Sequence, residues 1–126
     1  MRSFFAALTI ICAIIAGSIF YTSQMDRLSG DMLEKNNLIY SLIENDDISG
    51  AAPEINKASE YLENHSVMLW AMGDHSEIVQ LERSLGELRE FVKNEEKSDA
   101  LAKCADLEVL ILHMPSNYKL RLENIL

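Results

Sequence analysis

Three histidines, His65, His75 and His113, are the first residues to weigh for chemistry, together with the carboxylates Asp74, Glu77 and Glu123. On composition that is a donor set for zinc or a similar ion. The spacing argues against it. No two of the histidines stand four apart, as a helical metal motif requires, and no cysteine pair accompanies them. His75, in the first turn of a capped helix, and His113, in the last turn of another, are explained by local structure; for His113, an imidazolium at a helix C-terminus suits the negative pole. Asp74, His75 and Glu77 could be drawn as an acid–base group, but Asp74 followed three residues later by Glu77 reads first as a capping box, with Asp in the Ser/Thr place. Ser66, Ser76 and Ser98 sit in no nucleophile elbow, and no glycine-rich loop follows a strand. Neither a metal, a cofactor nor a catalytic residue is expected. The apolar group Met68, Leu69, Trp70 and Met72 reads as a packed corner before it reads as an exposed patch. If a functional surface exists, it should lie where Trp70, Asp74, His75, Glu77 and His113 converge.

The elements that would position these residues start from an apolar stretch. Residues 3–21, SFFAALTIICAIIAGSIFY, carry no charge. At about 1.5 Å per residue they approach the roughly 30 Å of a bilayer's hydrocarbon layer. The segment is apolar on every face, which disfavours a core helix in so small a chain. A cleaved leader is disfavoured by the single basic residue, Arg2, and by apolar residues that continue beyond the small run Ala16-Gly17-Ser18. A short N-terminal head before an internal apolar segment is the layout of a signal anchor, which points to a single-pass protein with its domain outside the cytoplasm. Ala13 and Gly17 form a small-xxx-small pair that would let two anchors pack closely. Such pairs are common, and they leave a homodimer without further support.

Residues 1–22 are therefore expected to be the anchor and residues 23–126 a single acidic domain. Of eleven Lys and Arg only Arg2 precedes the apolar stretch, while all twenty Asp and Glu follow it, so the domain stands at ten against twenty, or −10. Such a surface repels phosphate backbones and anionic lipid headgroups, so no nucleic-acid partner is expected. Cys12 in the anchor and Cys104 in the domain cannot plausibly pair, so no disulfide framework is indicated. Five Gly and two Pro leave little for the turns of an all-β fold.

The periodicity is helical throughout. Met25, Leu28, Met32, Ile39 and Leu42 continue the anchor as the first helix of the domain, ending near residues 44–47. Asp46 or Asp47 caps a second helix, with Pro53 in its early part and Gly73 as its stop. Ile78, Leu81, Leu85, Leu88 and Val92 mark a third, and residues 94–97 a turn. Ser98 caps a fourth helix that Pro115 should end, with an apolar tail folding back on the bundle. No clean 34-residue self-similarity of the tetratricopeptide kind is present. The expected fold is all-α: a transmembrane helix continuing into about four helices, arranged as a stack of helical hairpins.

Four segments, DHSEI at residues 74–78, ALA at 100–102, HMP at 113–115 and the terminal LENIL, together with the N-terminal anchor, resemble the bacterial domain-of-unknown-function family numbered 4363. The resemblance covers nearly the whole chain and implies a short, anchored helical protein with no established activity. Where members of that family tend to carry Trp after the first acidic turn this chain has Ile48, and near the end of the second helix it has the single Trp70. The functional expectation is a non-enzymatic accessory or interaction module for another membrane or envelope protein. The alternative is an extracytoplasmic sensor domain binding a metal ion or small ligand.

Overall fold

In the computed structural model the chain is four α-helices: α1 (Arg2–Glu44), α2 (Ile48–Met72), α3 (His75–Lys93) and α4 (Lys97–Ile125). The structure describes residues 1–72 and 75–125, with side chains for 1–67 and 76–114. No strand occurs among the described residues. Each helix packs against its two neighbours around a square, α1 on α2, α2 on α3, α3 on α4 and α4 back on α1, the up-down-up-down arrangement that short connections favour.

α1 is two things in one helix. Over 43 residues it spans about 65 Å. Phe4, Phe5, Leu8, Ile10, Ile11, Ile14, Ile15, Ile19 and Phe20 are all exposed. From Tyr21 onward Met25, Leu28, Met32, Ile39 and Ile43 are buried and form one wall of the core. Steps of three and four residues between them keep one stripe facing inward. In the apolar half, the Thr9 hydroxyl donates to the Phe5 carbonyl at 2.8 Å and the Ser18 hydroxyl to the Ile14 carbonyl at 2.9 Å. These bonds satisfy the hydroxyls within the helix itself.

The two tight turns are copies of each other. The amides of Asp46 and Asp47 donate to the carbonyls of Ile43 and Leu42 at 3.0 and 2.8 Å, and those of Glu95 and Glu96 to Val92 and Phe91 at 3.1 and 2.8 Å. This is the Schellman pattern. It puts Asp46 (φ 61°) and Glu95 (φ 58°) in the left-handed region, where a glycine would be unstrained. The copying extends through both hairpins at a shift of 49 residues, from Asn45 to Asn94. Met32, Asn36, Ile39, Ile43, Ala51, Ile55, Ala58 and Leu62 are buried in the first hairpin. Leu81, Leu85, Leu88, Val92, Ala100, Cys104, Leu107 and Ile111, their counterparts, are buried in the second. The fold is a duplicated helical hairpin closed on itself, with a 49-residue repeat in place of the 34-residue tetratricopeptide period.

The second helix begins as expected at the acidic cluster, and Asp47 is its cap: Asp47 Oδ1 accepts from the Gly50 amide at 3.0 Å. Pro53 lies inside α2, near its start. The stop expected at Gly73 lies outside the described residues. Lys97 ties the hairpins together at the far end, donating to Asp46 Oδ1 at 2.9 Å and to the Glu44 carbonyl at 3.0 Å.

Two expectations about α4 are overturned. The helix starts at Lys97, with the Ala100 amide bonded to the Glu96 carbonyl at 2.9 Å, so Ser98 lies inside its first turn and is not its cap. α4 does not end at Pro115 but runs on to Ile125, so no tail folds back. Proline lacks the amide hydrogen that the carbonyl four residues earlier would accept, and that carbonyl belongs to Ile111. In this protein the Ser29 hydroxyl of α1 donates to the Ile111 carbonyl at 3.0 Å, with Ser29 itself buried. A side chain from the neighbouring helix replaces the bond that proline removes, so the helix can continue.

Candidate functional surface

The α1–α4 contact is set by two buried hydrogen bonds. Ser29 meets Ile111, and seven residues further along α1 the Asn36 side-chain amide meets the Cys104 carbonyl at 2.9 Å, seven residues back on α4. Asn36 is 5% exposed and its Oδ1 accepts no hydrogen bond. Met32, Ile39, Ala58, Leu85, Leu107 and Ile111 surround it at the centre of the bundle. A buried polar residue of this kind fixes helix register more than it adds stability. Cys104 is buried and free, and burial pushes its thiol up to about 11. It is a small core residue and not a nucleophile. Cys12 is also free, on the exposed apolar half of α1.

On the α1–α2 face, Tyr61 donates to Asp31 Oδ2 at 2.6 Å, and the Lys35 ammonium sits 5.0 Å from the Tyr61 ring centroid. The His65 ring lies 4.3 Å from that ring, and its Nδ1 is 2.8 Å from the Tyr61 carbonyl oxygen. Burial, and then the bond to the Asp31 carboxylate, push the Tyr61 phenol up to about 12. The cluster holds the two helices in register as a charge-assisted contact.

Between α2 and α3 runs a groove of about 410 Å³, lined by Ser59, Leu62, Glu63, Glu82, Leu85, Gly86 and Arg89. Arg89 of α3 reaches across to α2 at the surface, donating to Asn56 Oδ1 at 3.1 Å and to Ser59 Oγ at 3.0 Å. A Cβ at Gly86 would meet nothing, so the opening there is not a steric necessity. Beyond it, Lys103 of α4 bridges Glu87 at 2.6 Å, and this bond, before all else, raises the Lys103 ammonium's pKa.

Of the residues expected to converge, Asp74 and the side chains of Trp70 and His75 lie outside the described residues. Glu77 sits half-buried in the first turn of α3. His113 is exposed on α4, well before the helix ends rather than in its last turn. Ten residues back along α3 from Glu87 and ten on along α4 from Lys103, the antiparallel register brings Glu77 level with His113. His65, weighed above only as a metal ligand, belongs instead to the Tyr61 cluster. Asp31 with Lys35, and Tyr61 with His65, each stand four apart in the sequence, the spacing of one helix face. Only the packing shows that the two faces meet. Among the described residues no three His, Cys, Asp or Glu side chains are grouped to hold a metal ion.

Fold and surface together define a four-helix bundle whose first helix projects, near the N-terminus, a segment long and apolar enough to cross a membrane, with a mean hydropathy of 2.3 and none of it buried. Over residues 19–125 the chain matches the family described as Domain of unknown function (DUF4363), and it belongs to that family. No curated protein and no solved structure matches it.

Proposed function

We propose that this protein is a single-pass, membrane-anchored and non-enzymatic accessory module, which presents an acidic helical bundle on the extracytoplasmic side to another membrane or envelope protein. The observation that supports this is the continuity of α1. The same helix carries a wholly exposed apolar half and, from Tyr21, a wall of the core, with no linker between. A rigid joint of this kind holds the bundle at a fixed height and attitude above a bilayer. That matters to a protein that works by contact and is of little use to one that works by diffusion. The α2–α3 groove, with Glu63 and Glu82 on its rims and Arg89 across it, is the surface offered to the partner.

The test is site-specific photo-crosslinking in cells of the source organism, with a photoreactive amino acid at Gly86 or Glu82 and, as control, at Glu44 on the far end. A discrete adduct from the groove positions, absent from Glu44 and lost when residues 1–21 are replaced by a cleavable secretion leader, supports the reading. Adducts equal at all three positions, or unchanged on release from the membrane, would overturn it. Resistance of the intact chain to alkaline carbonate, and its digestion by protease added to sealed cells, test anchoring and sidedness separately.

A further inference from the structure

The duplicated hairpin makes two opposite faces of the bundle counterparts of each other, and they differ in kind. On the α1–α4 face, Leu33 and Tyr40 each stand four residues after an α1 side chain that bonds α4, so both border that helix. Leu101, Ala105, Val109 and Leu112 form a stripe on the side of α4 turned away from Lys103, which faces Glu87 on α3. The register that joins Ser29 to Ile111 and Asn36 to Cys104 brings Leu33 level with the space between Ala105 and Val109, and Tyr40 beside Leu101. The stripe runs for about 16 Å. Tyr40 is 40% exposed, Val109 54% and Leu112 53%.

Shifted by 49 residues, the same six positions on the α2–α3 face are Glu82, Arg89, Ala52, Asn56, Glu60 and Glu63. One copy of the repeated surface is dressed for water and the other is not. The other flank of α1 is polar too, where Asp31, Lys35 and Tyr61 meet. Apolar side chains gathered at one copy of a duplicated surface mark a contact site, where single exposed ones would not.

Charge says what covers it. Glu108 is exposed within this face. The described basic side chains of α4 are engaged elsewhere, Lys103 with Glu87 and Asp106, and Lys97 with Asp46 and the Glu44 carbonyl at the far turn. A second copy is therefore a poor occupant. Two chains sharing one bilayer would be related by an axis along the bundle, which sets Glu108 against Glu108 at the same height. A helix that carries Lys or Arg beside an apolar stripe is complementary. The face also has a direction. Ile15 lies eighteen residues, five turns, before Leu33, and Thr22 stands in the same relation to Tyr40. The side of α1 that borders the stripe thus continues into its exposed apolar half.

We propose that the α1–α4 face docks the juxtamembrane helix of a different membrane protein. The partner's spanning segment lies along the apolar half of α1, and its continuation outside the bilayer covers Leu33, Val109 and Leu112 while a Lys or Arg pairs with Glu108. This rests on α1 being the anchor. It adds to the α2–α3 groove, on the opposite side of the bundle, a second contact made by the partner's own membrane helix.

The test uses the full chain in nanodiscs with a photoreactive amino acid at Val109 or, as control, at Glu60, its counterpart on α2. The probe is a synthetic single-span peptide whose apolar span continues as a helix with a leucine stripe flanked by lysines. A second peptide has glutamates in place of those lysines. Val109 should crosslink the lysine peptide about threefold more than the glutamate peptide, and Glu60 should give only background with either. Glu108→Lys should reverse the preference, with an unchanged circular dichroism spectrum because the side chain is exposed. Equal yields from the two peptides, equal yields at Val109 and Glu60, or no adduct at Val109 would overturn the proposal and leave the anchor standing. An adduct of twice the chain's mass would also overturn it and give the face to a second copy. Recovery of the chain outside the discs would overturn the anchor and this proposal together.

Discussion

The hydrogen bond from Ser29 to the Ile111 carbonyl invites a quantitative test. If Ser29 stands in for the amide hydrogen that Pro115 lacks, Ser29→Ala leaves a carbonyl without a partner at a residue 1% exposed. Such an orphan costs about 1–3 kcal/mol. For a domain of this size that lowers Tm by about 4–8 °C for each kcal/mol. Pro115→Ala restores an amide to the chain, and the Ile111 carbonyl can then take its ordinary intrahelical bond. In that background Ser29→Ala should cost only about 0–1 kcal/mol, because a buried hydroxyl is then merely removed. The coupling between the two positions is therefore about 1–2 kcal/mol. The assay is urea or thermal unfolding of the full chain in one detergent, followed by far-ultraviolet circular dichroism, for the parent, both single variants and the double. Equal cost of Ser29→Ala in both backgrounds, to within about 0.5 kcal/mol, refutes the reasoning.

Other perturbations follow from the same packing. Asn36→Leu removes an Oδ1 that accepts nothing and puts at this position the residue its counterpart Leu85 already is. It should raise stability by about 1–2 kcal/mol, the penalty of the orphan outweighing one lost hydrogen bond, and a lower denaturation midpoint would contradict this. Glu95→Gly relieves a non-glycine residue at φ 58° and should gain about 1 kcal/mol in the same unfolding assay. Asp47→Ala, which deletes the cap on α2, should lose about 1 kcal/mol. The Cys104 thiol has its pKa raised by burial from 9.0 to about 11, so the folded state holds its proton longer than the unfolded. That contribution is complete below pH 9 and is lost as pH climbs toward 11. A pH series of unfolding midpoints on Cys104→Ala should show a shallower fall across that window.

Much of the fold could be read in advance because burial leaves a period in the sequence. Residues 78, 81, 85, 88 and 92 step by three and four, and α3 is the helix they describe. The acidic turn at residues 45–47 was legible as a boundary, since Asp47 caps as its type suggests. The 49-residue repeat was also present in the letters, as Asn45-Asp46-Asp47-Ile48-Ser49 against Asn94-Glu95-Glu96-Lys97-Ser98. It is faint there because acidic residues exchange freely at solvent-facing turns, and what the two halves share is a burial pattern, not a run of identities.

What the sequence alone determined is whatever a single helix can express: where apolar stripes lie, where helices start, and that residues 3–21 hold no charge for water to solvate. What only the tertiary structure decided involves two helices at once. Asp31 and Lys35 found Tyr61 and His65 across an interface. Asn36 found the Cys104 carbonyl, and Ser29 supplied the partner that let α4 run through a proline. A proline ends a helix when its orphaned carbonyl must turn to water, and continues it when a neighbour brings a hydroxyl. That choice depends on a residue 82 positions away along the chain, which no local pattern can report.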